Sequence, residues 1–432
     1  MARAQFKAPR GTRDILPPDT ARWRALGDTF ANLAERSGYG QVISPIFEDI
    51  GVFQRVGEST DIVTKEMFDF HDKGDPPQHL ALRPELTASI CRAYAEHRPI
   101  PPWKIWYEGP QFRYEKPQAG RYRQFSQFGV EVLGADDAAV DVEVIALGWR
   151  LWEELGLSKV RLMINSLGDA SSRPRYLAAL SDHFTSNRDS LSEQSRTTLE
   201  KNPLRVLDSK REVDADVIAA APLMIDYLDD ECSDHFASVV SGLESLGISY
   251  EVSPRLVRGL DYYTRTTFEF ASDALDSAQN AIGGGGRYDQ LVEDLGGPPT
   301  AGIGFALGVD RILMACDAEG VFGPPPPRVE VFVVDMIDGS VATKVCDELR
   351  RVGVGADRSF GGRSVKAQMK VADRSGARVA LLIGEDELAA GVVTVRDLRG
   401  DGSQKQVDRT GVAGTIAELL SNLPPAAPEQ PS

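Results

Sequence analysis

No apolar run in the 432-residue chain approaches the roughly 20 residues needed to cross a bilayer, so no membrane segment is expected. Its four cysteines, Cys91, Cys232, Cys316 and Cys346, stand far apart, with no CxxC pair and no Cys/His cluster. That scarcity argues against a disulfide framework and structural zinc, and suits a reducing compartment. The opening segment, Met1 to Arg13, is basic and lacks the apolar core of an export signal, so a cytoplasmic protein is expected. Internal repeats are absent. Positive charge is also short, with a net charge of −16 that by itself disfavours a polyanionic partner.

The deficit is unevenly spread. Between Arg328 and Leu423 there are 14 basic and 14 acidic residues, so the whole excess of negative charge lies outside that stretch. Within it Arg350, Arg351, Arg358, Arg363, Lys366, Lys370, Arg374 and Arg378 fall close together. Such a face can hold a phosphate backbone, or it can be a solvated surface.

A chain of this length exceeds one ordinary core. Gly320 to Arg328 reads GVFGPPPPR, and four consecutive prolines make a stiff spacer, so 324–328 is expected to be a linker. Beyond it, an apolar strand at Val329 to Val334, a helix at Val341 to Val352, another helix, a strand at Val379 to Gly384 and a β-rich end predict a small α/β domain over 329–423. The tail, 424–432, has too little apolar content to fold. Residues 1–323 read as α+β, with long antiparallel strands and flanking helices. The stretch of about 169–241 lacks strand patterning and reads as a helical insertion with polar breaks at Ser181 to Ser195.

The most informative segment is Ile105 to Leu133, IWYEGPQFRYEKPQAGRYRQFSQFGVEVL. Period-2 alternation puts Gln111, Arg113 and Glu115 on one face of the first strand, and Phe125, Gln127, Gly129 and Glu131 on one face of the second. Ser126, Phe128, Val130 and Val132 take the other face, which packs inward. The polar face carries amide, carboxylate and aromatic groups with a glycine between them that leaves room for a ligand. Other stretches fit chemistry and bland packing alike. Glu85 and Thr87 sit where a strand hands over to a helix with Leu86, Ile90 and Tyr94 on one stripe; a first-turn glutamate is also favoured by the helix dipole. RGLDYY, from Arg258 to Tyr263, fits an arginine in a turn before two core tyrosines. The glycines of AIGGGGRYD (Ala281 to Asp289) mark a ligand or backbone pressed close to a strand, or a loop. AGIGFALGVDRILMA (Ala301 to Ala315) is a glycine-spaced strand followed by a helix.

FRYEKPQAGRYRQF resembles motif 2 of class II aminoacyl-tRNA synthetases, and SQFGVEVLG and RGLDYY resemble the histidine-specific branch, the histidyl-tRNA synthetases. PRGTRDILPPD resembles that family's opening segment, the helix and strand after it resemble motif 1, and AGIGFALGVDRILMA resembles motif 3. Six separated segments match in order. The resemblance implies a class II synthetase-type antiparallel sheet with flanking helices, a helical insertion and a C-terminal α/β anticodon-binding domain. It implies ATP with Mg²⁺, L-histidine and tRNA(His) as partners, and a homodimer built through motif 1, with no all-protein metal site.

By the same resemblance Arg113 holds the α-phosphate and the histidine carboxylate, and Arg258 is the catalytic cation. Glu115 reads the adenine amino group, Phe125 stacks on the base, Arg311 braces the β- and γ-phosphates, and Arg121, with Arg123, approaches the phosphates or the tRNA end. Glu85, Thr87 and Gln127 take the α-amino group; Glu131 and Tyr263 take the imidazole nitrogens. Tyr262 and Tyr288 complete the amino-acid pocket. Lys116 departs from the family's usual arginine, keeping charge but losing bidentate geometry. The Arg358 to Lys370 segment is the candidate anticodon reader. The alternatives are a synthetase-like histidine-sensing regulatory subunit, a class II synthetase for another amino acid, and an RNA-binding module.

Overall fold

The computed structural model describes residues 6–57, 62–257, 259–276 and 280–422. The chain divides into two compact units, Met1–Gly323 and Pro324–Ser432. The first is built on eight strands: β1 Gly40–Gln41, β2 Trp103–Phe112, β3 Gln124–Leu133, β4 Val160–Ser166, β5 Glu251–Val252, β6 Thr264–Ser272, β7 Ala281–Arg287 and β8 Gly302–Gly308. Their order in the sheet is β1-β2-β3-β8-β7-β6-β4-β5. All inner pairs are antiparallel, but the outermost pairs, β1–β2 and β4–β5, are parallel, so the sheet is mixed where an antiparallel one was expected. A parallel pair needs a long crossover. The β4–β5 crossover contains the helical insertion.

One face of the sheet carries the larger core. Phe128, Val130 and Val132 of β3 alternate inward and pair in register with Leu307, Phe305 and Ile303 of β8. Against them pack helix Asp19–Arg36 through Phe30, helix Ala138–Leu155 through Ile145, Leu151 and Trp152, and helix Asp230–Ser245 through Val239 and Leu243. The rings of Phe30 and Phe128 stack with centroids 5.0 Å apart. Helix Ala138–Leu155 starts where the Asp137 side chain accepts from the Ala139 N–H, and stops at Gly156 with φ 77°.

The opposite face is covered too. Helix Thr87–His97 lays Ile90 and Tyr94 on it, beside Leu86, Tyr107, Leu133, Tyr262, Tyr263 and Tyr288. The polar face of the β2–β3 hairpin is therefore no open platform: Glu131 is 0 % exposed. Register explains why. Tyr107 lies directly opposite Gly129, and a Cβ at 129 would stand 2.2 Å from the tyrosine ring. The space at Gly129 holds Tyr107, not a ligand.

The insertion has its own core of Tyr176, Leu180, Phe184, Leu199, Val206 and Ile218. Helix Arg173–Ser186 runs through the first half of the expected polar break, which shrinks to the turns before helix Glu193–Lys201. The insertion is also shorter than read from sequence, because helix Asp230–Ser245 buries its apolar stripe in the main core. A small antiparallel sheet, Phe47–Asp49, His79–Leu82 and Phe68–His71, precedes helix Thr87–His97.

In the second unit, Val331–Asp335 is buried along its whole length between helices on both faces, as its unbroken apolar run requires. It pairs in parallel with Ala356–Arg358 and Val379–Ile383, and two antiparallel strands, Val392–Asp397 and Gln404–Asp408, complete the sheet. The tail from Pro424 to Ser432 lies outside the described residues.

Candidate active site

A cavity of about 230 Å³ opens on the β2–β3 side of the sheet. Its lining gathers Glu85, Thr87, Arg113, Glu115, Arg121, Phe125, Gln127, Tyr262, Tyr263, Tyr288 and Arg311 from segments scattered over more than half the chain. These are eleven of the thirteen residues expected to bind histidine or ATP, Arg123 aside. Of the other two, Glu131 lies behind the wall and Arg258 lies outside the described residues.

At one end the cavity is cationic. Strand β2 stops at Phe112, so Arg113 and Glu115 stand in an irregular segment, while Gln111, expected beside them, is turned inward and fully buried. Arg113 donates from Nε to the Pro84 carbonyl at 2.9 Å, and its guanidinium stands 5.3 Å from the Phe125 ring centroid. Arg311, in the first turn of helix Val309–Glu319, donates to the carbonyls of Gly120 (3.3 Å) and Ala281 (2.7 Å). Burial, and then the nearby charges of Arg121 and Arg113, hold its pKa below the usual arginine value, against Glu115 and Glu269. Three guanidiniums thus line the cavity together with the carboxylates of Glu85, Glu115 and Asp310, and Glu115 is 3.4 Å from Arg121. An anion placed there relieves their repulsion.

Arg123 is not part of this cluster. Its guanidinium lies over Tyr114 at 3.6 Å, and its side chain packs on Gly11. Lys116 is exposed and lines neither this cavity nor its neighbour.

At the other end the wall is aromatic and hydroxylic. The Tyr262 and Tyr263 centroids are 4.6 Å apart, and Tyr262 meets Tyr288 edge-on at 5.9 Å. Behind them the Glu131 carboxylate accepts from Thr87 Oγ1 at 2.7 Å, from the Tyr107 hydroxyl at 3.1 Å, and from the Tyr288 hydroxyl. Burial pushes Glu131 up to about 8, with Glu85 adding to the rise and the Tyr288, Thr87 and Tyr107 hydroxyls opposing it. The carboxylate fits there because β8 carries glycine opposite it: a Cβ at Gly304 would stand 1.7 Å from Glu131 Oε2.

Glu85 combines both roles that its position suggested. Its carboxylate accepts from the N–H groups of Thr87 and Ala88, each at 2.8 Å, and so ties down the start of helix Thr87–His97. It also lines the cavity, and burial raises its pKa despite those bonds and the nearby Arg113. Gln127 Oε1 is buried with no hydrogen-bond partner, an unmet acceptor on a cavity-lining residue. The β7 glycines serve close packing: a Cβ at Gly285 would meet the Gly304 carbonyl at 1.9 Å, while Gly283 and Gly284 reach the cavity wall.

Two features escaped the sequence reading. Asp310 at the cavity rim pairs with Arg13 at 2.5 Å, clamping the N-terminal segment over the helix that carries Arg311. Tyr107 becomes visible only once the β2–β3 register is known. Three groups that could share a metal ion, Asp169, Asp229 and Cys232, lie in and beside the insertion, and their carboxylates accept from Ser171, Ser172 and the Cys232 N–H.

Residues 11–312 match the family model described as histidyl-tRNA synthetase, and residues 330–419 match the anticodon binding domain. The chain is 49% identical to the histidine–tRNA ligase of Rhodococcus erythropolis strain PR4, over 96% of this chain and 99% of that protein. It is 45% identical to the histidine–tRNA ligase of Geobacillus sp. strain WCH70, over 96% of this chain and 100% of that protein. Among solved structures, apo S. aureus histidyl-tRNA synthetase matches with a TM-score of 0.80 at 36% identity, covering 95% of this chain and 99% of that one.

Proposed function

The chain belongs to the histidyl-tRNA synthetase family, and we infer that it activates L-histidine with ATP, releasing pyrophosphate, and then transfers histidine to the 3′ end of tRNA(His). The observation that carries this reading is the single cavity with a guanidinium cluster at one end and a tyrosine-walled, carboxylate-backed pocket at the other. Attack of a carboxylate on the α-phosphorus concentrates negative charge between two anions. Fixed guanidiniums stabilise that charge in the transition state more than in the ground state.

We assign Arg113 to the α-phosphate and the histidine carboxylate, and Arg311 to the β- and γ-phosphates, with Arg121 beside it. Arg258 is the second catalytic cation. Phe125 stacks on the adenine and Glu115 accepts from its amino group. Glu85, Thr87 and the unpaired Gln127 amide oxygen take the α-ammonium. Tyr263 and Glu131 take the imidazole nitrogens between Tyr262 and Tyr288, Glu131 acting through the Tyr288 hydroxyl that it fixes. A site with buried polar groups meant for both ring nitrogens rejects apolar analogues strongly, because those groups go unpaired when the wrong side chain enters. Mg²⁺ entering with ATP supplies further neutralisation of the phosphates.

A homodimer through the residues after helix Asp19–Arg36 fits the apolar surface there: Ile43 is 86% exposed, and Phe47 and Phe70 form an exposed edge-to-face pair at 6.2 Å. No described helix is long and apolar enough to cross a membrane. We place the protein in the cytoplasm, where its tRNA is, with the unit beyond Pro324 reading the anticodon through the Arg358 to Lys370 segment. The regulatory-subunit alternative is disfavoured by the match of the second unit to the anticodon domain. Labelled histidine incubated with the protein, ATP and bulk tRNA tests this reading. Label is expected in acid-precipitable tRNA; its absence while histidine is activated would remove the transfer step.

A further inference from the structure

The wall of the amino-acid pocket is tied to the helical insertion by two arginines. Arg205, in the short 3-10 helix Pro203–Asp208, places Nη2 2.9 Å from Asp261 Oδ1. Arg173, the first residue of helix Arg173–Ser186, donates to the Tyr263 carbonyl at 2.7 Å. Asp261 directly precedes Tyr262 and Tyr263, which line the cavity beside Leu260. Residues 259–263 belong to no strand; β6 begins only at Thr264. Their placement therefore depends on packing in the second core and on side-chain ties rather than on ladder hydrogen bonds. The insertion offers a firm anchor, since Tyr176, Leu180 and Val206 sit in a core of their own. Burial lowers the pKa of Arg173, and the charges of Asp261 and Asp169 oppose that fall, so the two arginines and Asp261 form one electrostatic group.

We propose that Arg205 and Arg173 are positioning residues for histidine activation: the insertion sets the tyrosine wall of the amino-acid pocket. The inference rests on the functional reading above for the identity of the ligand. It assigns the insertion a part in the first half-reaction, before any tRNA is bound. The Arg205–Asp261 pair is partly exposed, at 22% and 32%, and such pairs add little to global stability. Its loss is therefore expected in histidine recognition rather than in melting temperature.

The test is histidine-dependent ATP–pyrophosphate exchange on the full chain carrying Arg205→Ala, Arg205→Lys, Asp261→Asn, or Arg205→Ala with Asp261→Asn. Arg205→Ala and Asp261→Asn should each raise the KM for histidine about tenfold, leaving the KM for ATP and the melting temperature near those of the unsubstituted protein. The double variant should be no worse than the poorer single variant, and Arg205→Lys should recover most of the loss. Additive losses, a rise in the KM for ATP instead, a lowered melting temperature with an unchanged histidine KM, or no effect would each overturn the proposal. Failure of the unsubstituted protein to exchange with histidine would count against the functional reading itself. An active parent with unaltered variants would count against this inference alone.

Discussion

The Tyr288 hydroxyl is hydrogen-bonded to the carboxyl group of Glu131, 157 residues away, and so a residue on the pocket wall is bonded to the buried acid behind it. Thr87 holds the other carboxylate oxygen from the start of helix Thr87–His97. The pocket is thereby shaped before any ligand enters, and three segments far apart in the chain share one hydrogen-bonded group.

Removing that bond tests the pocket's chemistry. Tyr288→Phe keeps the ring and deletes one hydrogen bond to a buried carboxyl group, a loss of about 1–3 kcal/mol. We expect kcat/KM for histidine to fall by about 10- to 100-fold in pyrophosphate exchange, with the KM for ATP nearly unchanged. An equal fall for both substrates would place Tyr288 elsewhere.

Stability should depend on pH through Glu131. Its pKa is raised by burial from 4.5 to about 8 in the folded protein. The folded chain therefore holds a proton that the unfolded chain has released between these values. This contribution is fully present below pH 4.5, is lost as pH rises through the folded value, and levels off above it. Urea titrations across that window should show a falling midpoint in the unsubstituted protein and a flatter profile in Glu131→Gln. Identical slopes would mean that Glu131 keeps an ordinary pKa.

Arg311→Ala should lower kcat/KM for ATP by about 100-fold or more, on the scale of losing one electrostatic stabiliser of the transition state. Arg311→Lys should recover only part of it, since an ammonium cannot reproduce the two-carbonyl seat that the guanidinium occupies with Gly120 and Ala281. Full recovery by lysine would show that charge alone matters there.

Gly129→Ala and Gly304→Ala probe the close packing under the pocket. A methyl at 129 meets the Tyr107 ring and one at 304 meets the Glu131 carboxylate. Overpacking of this kind costs about 1–3 kcal/mol, so thermal melts should shift down by several degrees. Gly304→Ala should also impair histidine activation. A variant that melts at the parent temperature and binds histidine normally would contradict the packing described.

What the sequence disclosed followed local rules. The alternation of Phe128, Val130 and Val132 identified the buried face of β3, and the unbroken run before Asp335 identified a strand covered on both sides. The family resemblance, rather than any local rule, named the eleven residues that the structure gathers onto one cavity. What stayed hidden depended on register and on contacts between distant segments. Gly129 looked like room for a ligand, because nothing local reveals that Tyr107 faces it across the hairpin. Glu131 looked exposed to the pocket, because the helix and Tyr288 that bury it come from elsewhere in the chain. Arg123, expected near the phosphates or the tRNA end, packs on Gly11 and Tyr114 away from the cavity, a contact between segments that nothing local reveals. The insertion's reach ended early because the apolar stripe of helix Asp230–Ser245 belongs to the main core.

ATP–pyrophosphate exchange measured with each of the standard amino acids in turn tests the central claim most directly. Exchange with histidine alone, abolished in Arg113→Ala, is the predicted result. No exchange with histidine, or equal exchange with another amino acid, would contradict the account.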